Sequence, residues 1–168
     1  LDESHIRRLA PSVFSETAAE DVSGRYLFMP TFEVLRKLKD THGLVPVGVR
    51  EMACRIDGKR DFAKHEVTLR HLEPDRQYFV GDSIFEARLT NSHNRLSAWV
   101  FDAGLFRFAC SNGLLVSGGC SNSLHVRHTG DNEMLGQITG LETFAMGAPP
   151  WRIRRCATSP SSPRRARN

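Results

Sequence analysis

Apolar residues recur at helical spacing most clearly in FEVLRKLKDTHG, where Phe32, Leu35 and Leu38 share a face and Val34 flanks them. Lys37 and Lys39 fall on the water side, Thr31 precedes the run as an N-cap and Gly43 follows as a C-terminal cap, so the spacing predicts a helix after Thr31. A shorter helix is predicted from Asp2 to Leu9, capped by Asp2 or Ser4, with Ile6 and Leu9 on one face and Pro11 beyond its end. Residues 12–24 are small and polar, and Arg25 to Met29 reads as a brief strand stopped by Pro30.

Past Gly43 the period shortens to two. Val45, Val47 and Val49 fall on one side of a strand predicted from Val45 to Ile56, Asp57-Gly58 is a hairpin turn, and Asp61 to Leu72 returns antiparallel. This hairpin is expected to pack on the preceding helix. Tyr78 to Val80 and Ile84 to Leu89 continue the sheet, and Asn94-Arg95 separates two further extended segments, the second including Ser97 to Phe101. Leu105 to Val116 reads either as a short helix leading into a strand or as two strands about Ser111-Asn112-Gly113. Ser117 to Asn122 is expected to be a glycine- and serine-rich loop, followed by a short strand from Leu124 to Arg127. Strand signals outnumber helices, so the expected class is α+β: a mainly antiparallel sheet with a few helices packed on it and a disordered C-terminal tail. One domain is expected over residues 1–131. A weak helix or linker follows at 132–150, where Gly136 and Gly140 each cost about 1 kcal/mol relative to alanine, and then an arginine-rich tail at 151–168.

Charge changes this picture less than its total suggests. The formal +4 of the 168 residues points to nucleic acid as a partner, but six arginines and no acid lie in the last 18 residues. Without that tail the chain carries 17 basic against 19 acidic residues, a net −2. No apolar run reaches the ~20 residues of a membrane helix, and the N-terminus has no apolar core like that of a signal peptide, so no membrane partner and a cytoplasmic location are expected. Cys54, Cys110, Cys120 and Cys156 are widely spaced and are expected to be cytosolic thiols.

The candidate chemistry clusters between Leu89 and Ser117. Asn91-Ser92-His93 places an amide, a hydroxyl and an imidazole at a strand end, where Asn91 and Ser92 suit a turn and His93 suits a general base. Arg107-x-x-Cys110-Ser111-Asn112-Gly113 offers an arginine for an anion, a thiol as a less favoured nucleophile, and turn residues at 111–113. His125 and His128 lie on an extended segment and point to opposite faces, which disfavours joint chelation. With no CxxC or HExxH no metal site is expected, and no Walker loop or GxGxxG identifies a cofactor. Lys64-His65 and Arg70-His71 give the return strand a cationic side, read as a solvated face or as a groove for phosphate.

Several segments together resemble a known family: RYLFMPT (25–31), AKHEVTLRHL (63–72), TNSHNRLSAWVFDAGLFRFACSNGLLV (90–116) and HVRHTGD (125–131). The resemblance is to the uncharacterised phage/plasmid-like proteins, a bacterial domain of unknown function found on mobile elements. Its shared positions here are Pro30, Thr31, His65, Arg70, Asn91, Ser92, His93, Gly104, Leu105, Arg107, Cys110, Ser111, Asn112, Gly113 and His128. Two departures stand out. Asn94-Arg95 replaces the family's usual Asp-Gly, which predicts a looser or longer hairpin. From Glu133 the helical sequence expected of the family is absent, so the domain is read as incomplete, and its arginine-rich tail either as the product of a truncation or frameshift, the favoured reading, or as a disordered arm that binds nucleic acid.

The resemblance implies a role in phage or plasmid maintenance, and three functions follow. The first is binding of DNA or RNA in replication, recombination or defence evasion, with contacts from His65, Arg70, Arg107 and His128. The second is a hydrolase or nuclease using His93 or His128 as base, Arg107 as anion holder and Cys110 as the weaker nucleophile, which requires these groups to converge. The third is an interaction module that inhibits a host protein complex.

Overall fold

The computed structural model describes residues 1–54, 58–77, 79–80, 83–108 and 115–128. Helix α1 (Glu3–Leu9) is capped by the Asp2 carboxylate, which accepts the His5 N–H at 2.7 Å, and a single 3₁₀ turn (Pro11–Phe14) follows it. Helix α2 (Thr31–His42) buries Val34, Leu35 and Leu38 and ends at Gly43, whose φ of 63° is the left-handed conformation that glycine adopts without strain. Thr31 is not its N-cap. Pro30 holds that position without a side-chain cap, and the Thr31 hydroxyl is drawn away to a buried histidine instead.

Six strands form one antiparallel sheet among the described residues: β1 (Leu44–Glu51), β2 (His65–His71), β3 (Phe79–Val80), β4 (Ser83–Asn91), β5 (Trp99–Phe108) and β6 (Leu115–Val126). The order is β1-β2-β4-β5-β6, with β3 pairing β4 off the path. The expected hairpin is the β1–β2 pair, with Leu44 opposite His71 and Glu51 opposite His65. Its valines do not share one side throughout, because the register shifts between Pro46 and Gly48, leaving Val47 38% exposed while Val49 packs against the core.

Elsewhere the alternation holds. Val67 and Leu69 of β2, Ala87 and Leu89 of β4 and Trp99, Phe101 and Ala103 of β5 turn inward under α1 and α2. Burying a side chain such as Phe101 or Leu89 contributes roughly 1.5–3 kcal/mol. Ser117 to Asn122 is strand rather than loop, since β6 pairs β5 on both sides of a register shift between Gly104 and Phe106, with Ala103 facing Asn122 and Phe106 facing Ser117. Of the two readings of 105–116, paired strands are the one found, with Phe108 opposite Leu115. The predicted 132–150 segment and the tail lie outside the described residues.

Candidate functional site

One end of the buried sheet face gathers polar side chains from distant parts of the chain. Glu51, His65 and Asn91 stand in a row across β1, β2 and β4, and all three point toward the turn at Ser12 and the start of α2. His65 is fully buried. Its Nδ1 lies 2.9 Å from Ser12 Oγ and 3.1 Å from the Ala63 carbonyl, and its Nε2 lies 2.8 Å from Thr31 Oγ1.

These contacts determine every proton. A carbonyl can only accept, so His65 Nδ1 carries the hydrogen, and burial pushes the ring's pKa down to about 4, which leaves Nε2 as an acceptor. Thr31 therefore donates to Nε2 while accepting Asn91 Nδ2–H at 2.9 Å. Ser12 accepts from His65 and donates to Glu51 Oε2 at 2.7 Å, and Arg60 Nε closes the chain on Glu51 Oε1 at 2.9 Å. The result is a one-directional line of donors from Asn91 to Glu51. Thr31 and Ser12 are both fully buried, so their hydroxyls serve as structure and not as nucleophiles.

His93 adjoins this line, its ring centroid 5.3 Å from that of His65 and 4.9 Å from that of Phe28. Its backbone is held by Phe62 O and by the Ala19 N–H, yet neither ring nitrogen has a hydrogen-bond partner among the described residues. Burial pushes its pKa down to about 3, with the neighbouring imidazoles of His65 and His128 acting in the same direction and the nearby Ser12 backbone pulling the other way. His128, also buried, places Nδ1 3.0 Å from the Leu27 carbonyl, and its Nε2 has no partner among the described residues. Its pKa is lowered by burial, against the pull of the Leu27 carbonyl.

Residues 26–28 strap the two rings down. Tyr26 stacks on His128 at 4.7 Å and 18°, its hydroxyl donating to the Ser92 carbonyl at 2.8 Å, while Leu27 N–H donates to His128 O and Phe28 packs on His93. The stretch expected to be a strand makes only an isolated bridge at Tyr26, because its backbone is committed to these contacts.

A cavity of about 320 Å³ opens beside this strap, lined by Ser23, Tyr26, Arg95, Ser97, Ala98, Arg127 and His128. These residues supply two guanidiniums and an aromatic stack, and none of them is a carboxylate. Arg95 has φ 66°, in the left-handed region. The connection carrying it, residues 92–98, is longer than a two-residue turn, as expected, and is tied by hydrogen bonds: Leu96 N–H donates to Asn94 Oδ1, and Ser92 Oγ bonds both the N–H and the carbonyl of Ser97.

The other residues singled out by sequence fall elsewhere. His65 does not present a solvated cationic face, since its ring is sealed in the core. Arg70 is on the outer sheet face, where its Nε donates at 2.7 Å to the buried Glu86 carboxylate. Arg107 lies toward the far end of β5, eight residues from Trp99 and thus about 26 Å along the strand from the histidine end. The structure thus brings His93 and His128 together and places the Arg107 backbone near the other end of β5. Cys110, Ser111, Asn112 and Gly113 lie outside the described residues. Sequence patterning missed Ser12 and Glu51, whose roles arise only from long-range pairing, and passed over Tyr26, Arg95 and Arg127, which sit inside or beside the segments that carried the family resemblance. Among the described residues no group of three or more His, Cys, Asp or Glu is placed to hold a metal ion, and no helix is long and apolar enough to cross a membrane.

The fold and site define an α+β domain built around a buried histidine cluster with a basic pocket at its edge. Residues 18–137 match the family model described as Domain of unknown function (DUF932), and the chain belongs to that family. Two Escherichia coli K12 proteins are similar to it, UPF0380 protein YafZ at 35% identity and UPF0380 protein YfjQ at 34%, each over 131 residues. Each match covers 78% of this chain and 46% of the relative, so the chain spans about half the length of these proteins. No solved structure matches it.

Proposed function

We propose that this chain binds DNA or RNA in the bacterial cytoplasm, in the service of a phage- or plasmid-like element, through the pocket edged by Arg95 and Arg127. The observation that carries this reading is the make-up of that pocket: two guanidiniums, two serines and the Tyr26–His128 stack, with no acid among the lining residues. Arginine forks suit phosphate oxygens, and aromatic rings suit bases. A body at net −2 offers no general electrostatic attraction, so the affinity must be local. The contacts thus pass from His65, Arg70 and Arg107 to Arg95, Arg127 and Tyr26, with His128 as the retained member.

The test is binding of a labelled single strand by the full chain over a range of salt. Replacing Arg95 and Arg127 together by alanine reduces affinity and lowers the slope of log K against log salt by about 0.7 for each phosphate that is no longer neutralised. An unchanged slope would sink the reading.

A second reading, hydrolysis of a phosphodiester, is favoured by His128, which lines the pocket and whose Nε2 has no partner among the described residues, while the fully buried His93 beside it serves only to position that ring. It requires Arg95 or Arg127 in place of the remote Arg107 as anion holder. Turnover of a phosphodiester that is lost in His128→Gln supports it; no turnover in the wild-type chain refutes it.

A further inference from the structure

Resting on that reading, we propose that the pocket seats one nucleotide of a single strand, with its base against the Tyr26–His128 stack and its phosphates toward Arg95 and Arg127, and that it discriminates against duplex. Three features carry this beyond general affinity for nucleic acid.

Size comes first. A cavity of about 320 Å³ lies at the small end of the range for small-ligand sites, so it has room for a nucleotide-sized unit and not for the width of a helix. The second is preorganisation. Tyr26 is held by its hydroxyl on Ser92 O, by stacking on His128 and by the Leu27–His128 backbone bond next to it, so little rotamer freedom remains to be lost when a base stacks there. In duplex the base faces are already covered by their neighbours, so an aromatic wall gains nothing from them, whereas a single strand exposes a π-face at every step. The third is the placing of the cations. Arg95 and Arg127 come from different elements, the β4–β5 connection and the end of β6, so they flank the stack and do not form one patch on a strand. Asp21 is near enough to Arg95 to feel its charge, but it is ion-paired to Lys59 at 2.7 Å, which keeps Arg95 available. Stacking reads no sequence, so the inferred ligand class is single-stranded nucleic acid without base preference.

The experiment measures affinity by fluorescence anisotropy at one fixed salt concentration. It compares an oligothymidylate of about 12 nucleotides with a hairpin-closed duplex of equal phosphate number. The proteins are the full wild-type chain, Tyr26→Leu, Tyr26→Phe, the double substitution Arg95→Ala/Arg127→Ala, and a full chain with the six tail arginines replaced by serine. The single strand is expected to bind about tenfold or more tighter than the duplex. Tyr26→Leu is expected to cut that ratio about tenfold, and Tyr26→Phe, which keeps the ring, to recover most of it. Serine in the tail is expected to weaken both ligands alike and leave the ratio in place. Equal affinity for strand and duplex overturns the proposal, as does a ratio that survives Tyr26→Leu. If Tyr26→Leu does not fold, the wild-type ratio decides alone. The two readings separate cleanly. If strand and duplex bind equally and both are lost with the double alanine, nucleic-acid binding at the pocket stands and the single-strand inference falls. Binding that survives the double alanine and vanishes with the tail substitutions removes both.

Discussion

Thr31 Oγ1 stands between two buried groups, accepting Asn91 Nδ2–H at 2.9 Å and donating to His65 Nε2 at 2.8 Å. One hydroxyl thereby joins the start of α2 to two neighbouring strands. Thr31→Val keeps the shape and removes the hydroxyl, leaving His65 Nε2 without a donor and Asn91 Nδ2 with only the Met29 carbonyl at 3.1 Å. The expected loss is about 2–3 kcal/mol in a denaturant titration, since a buried polar group without its partner retains its full desolvation cost. A loss under about 0.5 kcal/mol, the scale of a surface substitution, would mean the line of donors is not closed as described.

Acid acts through the same cluster. His65 and His93 have folded pKa values pushed to about 4 and about 3, below the usual 6.5 of the unfolded chain. Between those limits the unfolded state binds protons that the folded state refuses. Stability is therefore complete above pH 6.5 and falls as pH drops toward 4 and then 3, by up to about 1.4 kcal/mol per pH unit for each ring. His93→Phe removes one of those rings, and because His93 has no hydrogen-bond partner among the described residues, it is expected to flatten the acid limb measured by urea titration between pH 7 and pH 5. An equally steep limb in the variant would contradict this.

Arg70 holds a buried ion pair, and in the proposed reading it bears on the fold and not on the ligand. Its partner Glu86 is 2% exposed, so Arg70→Ala strands a carboxylate whose nearest remaining cation among the described residues is Arg88, at 3.7 Å. The variant is expected to lose about 2–3 kcal/mol by chemical denaturation, because breaking the closer pair leaves a buried carboxylate only partly compensated by Arg88. Affinity for single-stranded nucleic acid, measured well below the melting temperature, is expected to stay at the wild-type value.

Gly43→Ala is expected to cost about 1–2 kcal/mol, measured as a lowered thermal midpoint. The added methyl would sit 2.9 Å from His71 Nε2, and φ of 63° disfavours any residue with a Cβ. Gly48→Ala is the contrast, as its Cβ would meet Thr68 at an ordinary 3.5 Å without a left-handed backbone.

Local signals made much of this fold legible. α2 and its glycine stop follow from spacing within one segment, and the β1–β2 pair joins two apolar runs close in sequence. Long-range pairing accounts for what was missed. Ser117 to Asn122 has the composition of a loop, but both of its ends pair with β5 across a register shift, and the ladder outweighs weak propensity. Thr31 reads as a cap because caps are local, whereas its true partner lies 34 residues away. At the site, the family segments around residues 26, 92 and 128 do meet, in keeping with their shared pattern. Arg107 does not join them for a simple reason: it shares a strand with Trp99, and an extended chain carries a side chain far in a few residues. Arg127, one position before His128, lines the pocket instead.

In the proposed binding site, Arg95 sets stability against recognition at a single position. A side chain at φ 66° holds roughly 1 kcal/mol of backbone strain that glycine would not have. Arg95→Gly would relax the connection between β4 and β5 and raise the melting temperature while removing a guanidinium from the pocket. A lineage selected only for robustness would be expected to shed this arginine, and one selected for grip on its ligand would keep the tension in place.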